Sequence, residues 1–139
     1  MSLFDPYLFF DGNCADAMRF YEQTFGGKLE LMPAAGTPGA EQMPPGSEHL
    51  IMHSHLDLDG RMLMASDWMA PEPYPGMKGI SVSVSYPTAA EAKKIFDALS
   101  EGGQVHMPFE KTFWSDGFGM LADKFGTNWM VGSDQPQEG

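Results

Sequence analysis

The sequence predicts an α+β protein built from two tandem βαβββ modules. Three observations carry this prediction. A short strand-like run followed at once by an amphipathic helix occurs twice, near Tyr7 and near Ile80. Each helix stops at a glycine pair, Gly26-Gly27 and Gly102-Gly103, with strand-like runs after it. The halves also overlay: Asp16 on Glu91, Ala17 on Ala92, Tyr21 on Phe96 and Met32-Pro33 on Met107-Pro108. After a step in the offset, Asp57 falls on Asp123, Gly60 on Gly126 and Met64 on Met130. One such module cannot cover both faces of its own sheet.

The elements follow in order. Tyr7-Leu8-Phe9-Phe10 is an apolar strand, and Asp11-Gly12-Asn13 turns into a helix with Asn13 as its N-cap. Asp16 meets the helix dipole there, and Ala17, Phe20, Tyr21, Thr24 and Phe25 form the helix stripe. Lys28 to Met32 alternates as a strand. Residues 33–48, rich in Pro and Gly, form a long loop of the kind used as a lid or binding loop, with plain disorder the competing reading. His49 to Leu58 and Arg61 to Ser66 are hairpin strands around Asp59-Gly60. Pro71, Pro73 and Pro75 make 70–76 a semi-extended linker.

The second module, about 79–133, repeats the first, about 5–68, so that 1–139 reads as one domain. Ile80 to Ser85 alternates strictly, and Thr88-Ala89-Ala90-Glu91 is a capping box. Ala92, Ile95, Phe96 and Leu99 form the second helix face. Gln104 to Phe109, Gly119 to Ala122 and Asn128 to Gly132 are the remaining strands, with Phe113-Trp114 and Gly119 to Ala122 flanking a Ser115-Asp116-Gly117 turn.

Composition narrows the function. The net charge of −11 argues against nucleic acid and anionic membrane surfaces as partners. No apolar run reaches membrane-spanning length. Cys14 is the one cysteine, so no intrachain disulfide forms, and the expectation is a cytoplasmic protein. The ends Met1-Ser2-Leu3 and Glu138-Gly139 read as cloning scars.

Two segments carry a resemblance. Phe9-Phe10-Asp11-Gly12-Asn13-Cys14-Ala15-Asp16-Ala17-Met18-Arg19-Phe20-Tyr21, then Phe25-Gly26-Gly27, is similar to the opening of the vicinal oxygen chelate superfamily. That superfamily includes glyoxalase I, bleomycin-resistance proteins and extradiol dioxygenases. Lys111-Thr112-Phe113-Trp114-Ser115-Asp116-Gly117-Phe118-Gly119, then Asp123-Lys124-Phe125-Gly126 and Trp129, resembles its PhnB-like branch, also labelled demethylubiquinone methyltransferase-like. The resemblance implies cup-shaped mixed sheets around a cavity, a small-molecule ligand and a homodimer, with modules paired within or between chains. No glycine-rich strand-to-helix turn followed by an acidic residue occurs, so no nucleotide cofactor is expected.

The resemblance also implies a divalent metal held by His or Glu on strands of both halves. Those positions fall at Pro6, near Leu63, near Gly79 and near Met130, none of which suits such a metal. A displaced site would use His53 and His55, two apart on one strand, with Asp57 and Asp67 nearby. A one-residue bulge in the hairpin would put Leu56, Leu58, Met62 and Met64 on the core face and turn both histidines to the cup. A tight two-residue turn would put them on the Met62/Met64 side. The bulged register is the one expected, because it gathers the apolar set. Polar residues on a solvated face are the competing reading.

Ser81, Ser83 and Ser85 suit a cavity wall that leaves room for a ligand, or a half-exposed strand face. Phe113, Trp114 and Phe118 could wall an aromatic pocket or pack at an interface. Met52, Met62, Met64, Met107, Met120 and Met130 fall on strands as core filling. A malleable pocket and a methionine–histidine site for Cu(I) are chemically allowed. Cys14, in the first helical turn, is expected to have a lowered thiol pKa without a base beside it. His106 reads as packed or exposed rather than catalytic. The expected function is metal-independent binding of a small, partly apolar or aromatic molecule, with cations favoured by the acidic charge. The alternatives are a metal-dependent lyase, isomerase or dioxygenase using His53 and His55, and a dimeric scaffold without ligand.

Overall fold

The computed structural model describes residues 4–35 and 49–134, so most of the expected lid loop and both chain ends lie outside the described residues. The chain divides into two compact units, 1–76 and 77–139. The first holds β1 (Tyr7–Phe10), α1 (Cys14–Phe25), β2 (Lys28–Pro33), β3 (Ile51–Leu58) and β4 (Arg61–Asp67). Its four-stranded sheet has the order β1-β4-β3-β2, with β1 parallel to β4 and the other pairs antiparallel. The second holds β5 (Val82–Tyr86), α2 (Ala89–Ser100), β6 (Gln104–Glu110), β7 (Phe118–Ala122) and β8 (Asn128–Ser133). Its order, β5-β8-β7-β6, repeats the first sheet strand for strand. This is the expected pair of βαβββ modules.

Each helix covers one face of its own sheet. α1 buries Cys14, Ala17, Met18 and Tyr21, and Tyr21 packs beside Phe10. Met18, absent from the expected stripe, is fully buried, whereas Phe20 is only half-buried. α2 buries Ala92, Phe96 and Leu99 over β7 and β8, where Leu121, Trp129 and Val131 are buried. Each of these larger apolar side chains contributes about 1.5–3 kcal/mol on burial. The second helix is capped as expected, its Glu91 N–H donating to Thr88 Oγ1 at 3.2 Å. The first is not: Asn13 makes no side-chain cap. Asp67, from the end of β4, accepts the Cys14 N–H at 2.9 Å instead.

The hairpin register corrects an expectation. Asp59 and Gly60 both have positive φ, 52° and 87°, as a tight two-residue hairpin turn requires. Leu58 therefore pairs with Arg61, Leu56 with Leu63 and His55 with Met64, without a bulge. Paired residues share a face. Leu56, Leu63 and Ala65 are the fully or nearly buried helix-side set, and Met62 and Met64 lie with His53 and His55 on the opposite face. The bulged register failed because it counted Met62 and Met64 as core. A shorter correction applies in the second unit. β5 begins at Val82, and Ile80, expected on the core face, is 66 % exposed. Segment 70–76 is docked: Tyr74 donates its hydroxyl to the Phe9 carbonyl at 2.6 Å, and Trp68 Nε1 donates to the Glu72 carbonyl at 2.8 Å. Among the described residues no helix is long and apolar enough to cross a membrane.

Candidate functional site

Because a single helix covers one face of each sheet, the other face carries the chemistry available to a ligand. In the first unit that face is laid out by strand register. One cross-strand row reads Tyr7, Met64, His55, Glu30, and the next reads Phe9, Ser66, His53, Met32. Tyr7 Oη lies 3.1 Å from His53 Nδ1, and His55 Nε2 lies 3.5 Å from Glu30 Oε2. The two imidazole centroids are 5.8 Å apart. Alternation therefore brings His53 and His55 to one face, but each already has a neighbour of its own. Tyr7 and Glu30 were missed, since only the observed register places them across from the histidines.

Asp67 is not on this face. It pairs in register with Phe10 on the helix side and is buried. Its carboxylate accepts the N–H of Cys14 at 2.9 Å and of Ile51 at 2.8 Å. Its role is to bind the start of α1 to the start of β3. Beside it, Ser54 donates to the Ala65 carbonyl at 2.8 Å, and its Oγ lies 3.6 Å from the Cys14 sulfur. Burial pushes the Cys14 thiol up to about 12, the nearby Asp67 carboxylate adding to this and the Ser54 contact opposing it. The expected dipole-lowered thiol is thus reversed: desolvation outweighs the helix N-terminus.

In the second unit, a cleft of about 290 Å3 is lined by Ser83, Ser85, Trp114, Phe118 and Asp134, with Ser115, Gly132 and Ser133 at its floor. Ser83, Ser85, Trp114 and Phe118 were anticipated; Asp134 and the buried serines were not. Trp114 and Phe118 meet edge to face at 5.5 Å. Phe113, 95 % exposed, stands outside the cleft and packs on Trp114 at 4.7 Å. Ser115 builds the floor. Its hydroxyl lies 2.7 Å from the Gly117 carbonyl and 2.9 Å from the Ser133 carbonyl, and it accepts the Gly117 N–H at 3.2 Å. Gly132 leaves the space, since a Cβ there would meet Phe118. The Asp134 carboxylate and the Trp114 indole N–H have no hydrogen-bond partner among the described residues and remain available to a ligand.

A second cleft of about 410 Å3 on the same unit holds the remaining anticipated serine, Ser81, with Ile80, His106, Met120, Asn128 and Met130. Asn128 holds its rim by donating to the carbonyls of Met77 at 3.3 Å and Ile80 at 3.2 Å. Trp129, below it, is fixed from beneath by Nε1–H donation to the buried Asp123 carboxylate at 2.8 Å.

The divalent metal implied by the superfamily does not fit these residues. Of the two hairpin residues near the expected position, Leu63 points to the helix side and Met64 offers a thioether. Pro6, Gly79 and Met130 offer no imidazole or carboxylate. Among the described residues no three His, Cys, Asp or Glu side chains converge to hold an ion, His53 and His55 included.

Two helix-backed mixed sheets of βαβββ order, with small polar and aromatic side chains on their open faces, define a member of the vicinal oxygen chelate superfamily. The chain belongs to the family described as 3-demethylubiquinone-9 3-methyltransferase, its PhnB-like branch, whose model matches residues 3–132. It is 35 % identical to protein YjdN of Escherichia coli K12, over 91 % of each chain. The structure of protein PA1353 from Pseudomonas aeruginosa is 42 % identical, with a TM-score of 0.89, covering 98 % of this chain and 100 % of that one. A PhnB protein from Bacillus cereus is 26 % identical at a TM-score of 0.75, over 95 % and 99 %. A glyoxylase/bleomycin resistance protein/dioxygenase domain from Frankia shares the fold alone, at 12 % identity and a TM-score of 0.63.

Proposed function

We propose that this chain binds a small planar aromatic cation in the cleft bounded by Trp114, Phe118, Ser83, Ser85 and Asp134. The observation that carries the reading is the pairing of an open aromatic corner with a free carboxylate. Trp114 and Phe118 offer ring faces and edges, and Asp134 offers a negative charge that has no partner among the described residues. An aromatic face close to a cation contributes about 0.5–2 kcal/mol. The serine hydroxyls add adaptable donors and acceptors. The chain's charge of −11 favours the approach of cations over anions. No metal is needed for this binding.

We take the working form to be a homodimer in the cytoplasm. The exposed Tyr7, Phe9, Met32 and Met62 support a second copy, being large apolar groups on one sheet face. The lone buried Cys14 supports a reducing compartment. Light scattering on the purified chain is expected to give twice the 15.3 kDa chain mass, and a monomer would remove the dimer from this reading.

The binding test uses 1-methylquinolinium and its uncharged isostere quinoline in calorimetric titrations. The cation is expected to bind about fivefold more tightly than quinoline. Trp114→Ala is expected to abolish binding, and Asp134→Asn to remove most of the preference for charge. Equal binding of both probes, or full binding by Trp114→Ala, would refute the assignment.

A further inference from the structure

We infer that the second cleft of the second unit is a site for a soft monovalent cation, Cu(I) or Ag(I), held by Met120, Met130 and His106. Met120 and Met130 are direct cross-strand partners in β7 and β8, so their side chains leave the sheet side by side on one face. Met107 is the β6 partner of Met120, which extends the thioether row across a third strand. The ladder slips between Val105 and Met107. A bulge of this kind re-aims a side chain, and here the residue inside the slip, His106, joins Met120 and Met130 in lining the cleft. A regular ladder continued from the Val105–Leu121 pair would set His106 opposite Met120; the slip gives that position to Met107, and His106, left unpaired, still lines the cleft.

The donor set decides the ion. Thioethers are neutral and polarisable and bind d10 monovalent ions far better than hard divalent ones, while imidazole accepts both. A neutral set of two sulfurs and one nitrogen leaves a single positive charge to be accommodated in a half-buried cleft. That costs less desolvation than a dication would. None of the three side chains is engaged in a hydrogen bond or ion pair among the described residues. The rim is set independently of the metal, by Asn128 donating to the Met77 and Ile80 carbonyls. The acidic surface raises the local concentration of any cation. This site is separate from the aromatic cleft: the two share no lining residue.

The test is an anaerobic titration of the full chain with Cu(I) against bicinchoninate, paired with Met methyl NMR during Ag(I) addition. One equivalent of Cu(I) per chain is expected, and the Met120 and Met130 methyl signals should shift together while that of Met18, buried under α1, stays fixed. Met120→Leu/Met130→Leu keeps side-chain volume, so the fold should survive. This double variant is expected to lose Cu(I) affinity by about a hundredfold, and His106→Ala by about tenfold. His53→Ala/His55→Ala should leave affinity unchanged. No competition with bicinchoninate would overturn the proposal. So would a wild-type Ag(I) titration that moves other methionines, or loss of the ion in the His53/His55 variant. Binding of 1-methylquinolinium should be the same in the methionine variant and the wild type, so either assignment can fail alone.

Discussion

Buried polar residues, rather than the exposed candidates, explain why the second unit's cleft and the first helix are built as they are. Asp67 looked like a ligand residue at the end of a strand. It instead closes two buried backbone N–H groups on separate elements. Removing it leaves both without partners and takes a negative charge from the start of α1. Asp67→Ala is therefore expected to cost about 2–4 kcal/mol in urea unfolding, and Asp67→Asn, which keeps an acceptor oxygen, less. A cost near zero would mean that the contacts contribute nothing net. Cys14 beside it carries a pH expectation. Burial pushes its thiol from the ordinary 9.0 up to about 12, so the native state holds the proton more tightly. This group leaves stability unchanged below pH 9 and lowers it as pH rises from there toward 12. The native thiol is accordingly expected to ignore Ellman's reagent at pH 8 and to react only in denaturant. Neither role was legible, because a contact between residues 14 and 67 depends on tertiary pairing that periodicity does not report.

At the scale of elements, local chemistry was legible and register was not. Both helices, both glycine stops and the presence of a hairpin turn at Asp59-Gly60 follow from residue types whose backbone preferences are strong. The glycine pairs do more than end helices. A Cβ on Gly27 would run into the Asp57 carbonyl, and one on Gly103 into the Ala122 carbonyl, so both modules need bare backbone where the helix returns to its sheet. Gly27 also has φ of 87°, which adds strain for any other residue. Gly27→Ala and Gly103→Ala are each expected to destabilise by about 2 kcal/mol or more, read as lower melting temperatures, whereas Gly12→Ala, with open space around its Cβ position, should cost about 1 kcal/mol. Similar losses at all three would remove close packing as the cause. The hairpin register escaped the sequence for a physical reason. Methionine is apolar enough to count as core, and Met62 and Met64, alternating like Leu56 and Leu58, mimic a buried face. The positive φ values at the turn decide the register, and they select the tight form.

For the molecule as a whole, the duplicated sheet order was the most legible feature, because it rests on two independent copies of one pattern. The candidate site was legible in part. Ser83, Trp114 and Phe118 do meet, but Asp134 lies just past the last strand, where no motif marks it. His106 read as packed or exposed, since the slip beside it is a property of paired strands. If the acidic surface aids ligand approach as proposed, the association rate of 1-methylquinolinium should fall as salt rises from about 50 mM to about 500 mM. The rate for quinoline should stay flat. The most direct measurement of the central claim is an NMR titration of the indole N–H signals of the three tryptophans with 1-methylquinolinium. The account expects a saturable shift of the Trp114 signal, with Trp129, bonded to Asp123, and Trp68, bonded to the Glu72 carbonyl, left in place. A shift confined to Trp68 or Trp129, or no shift at saturating probe, would contradict it.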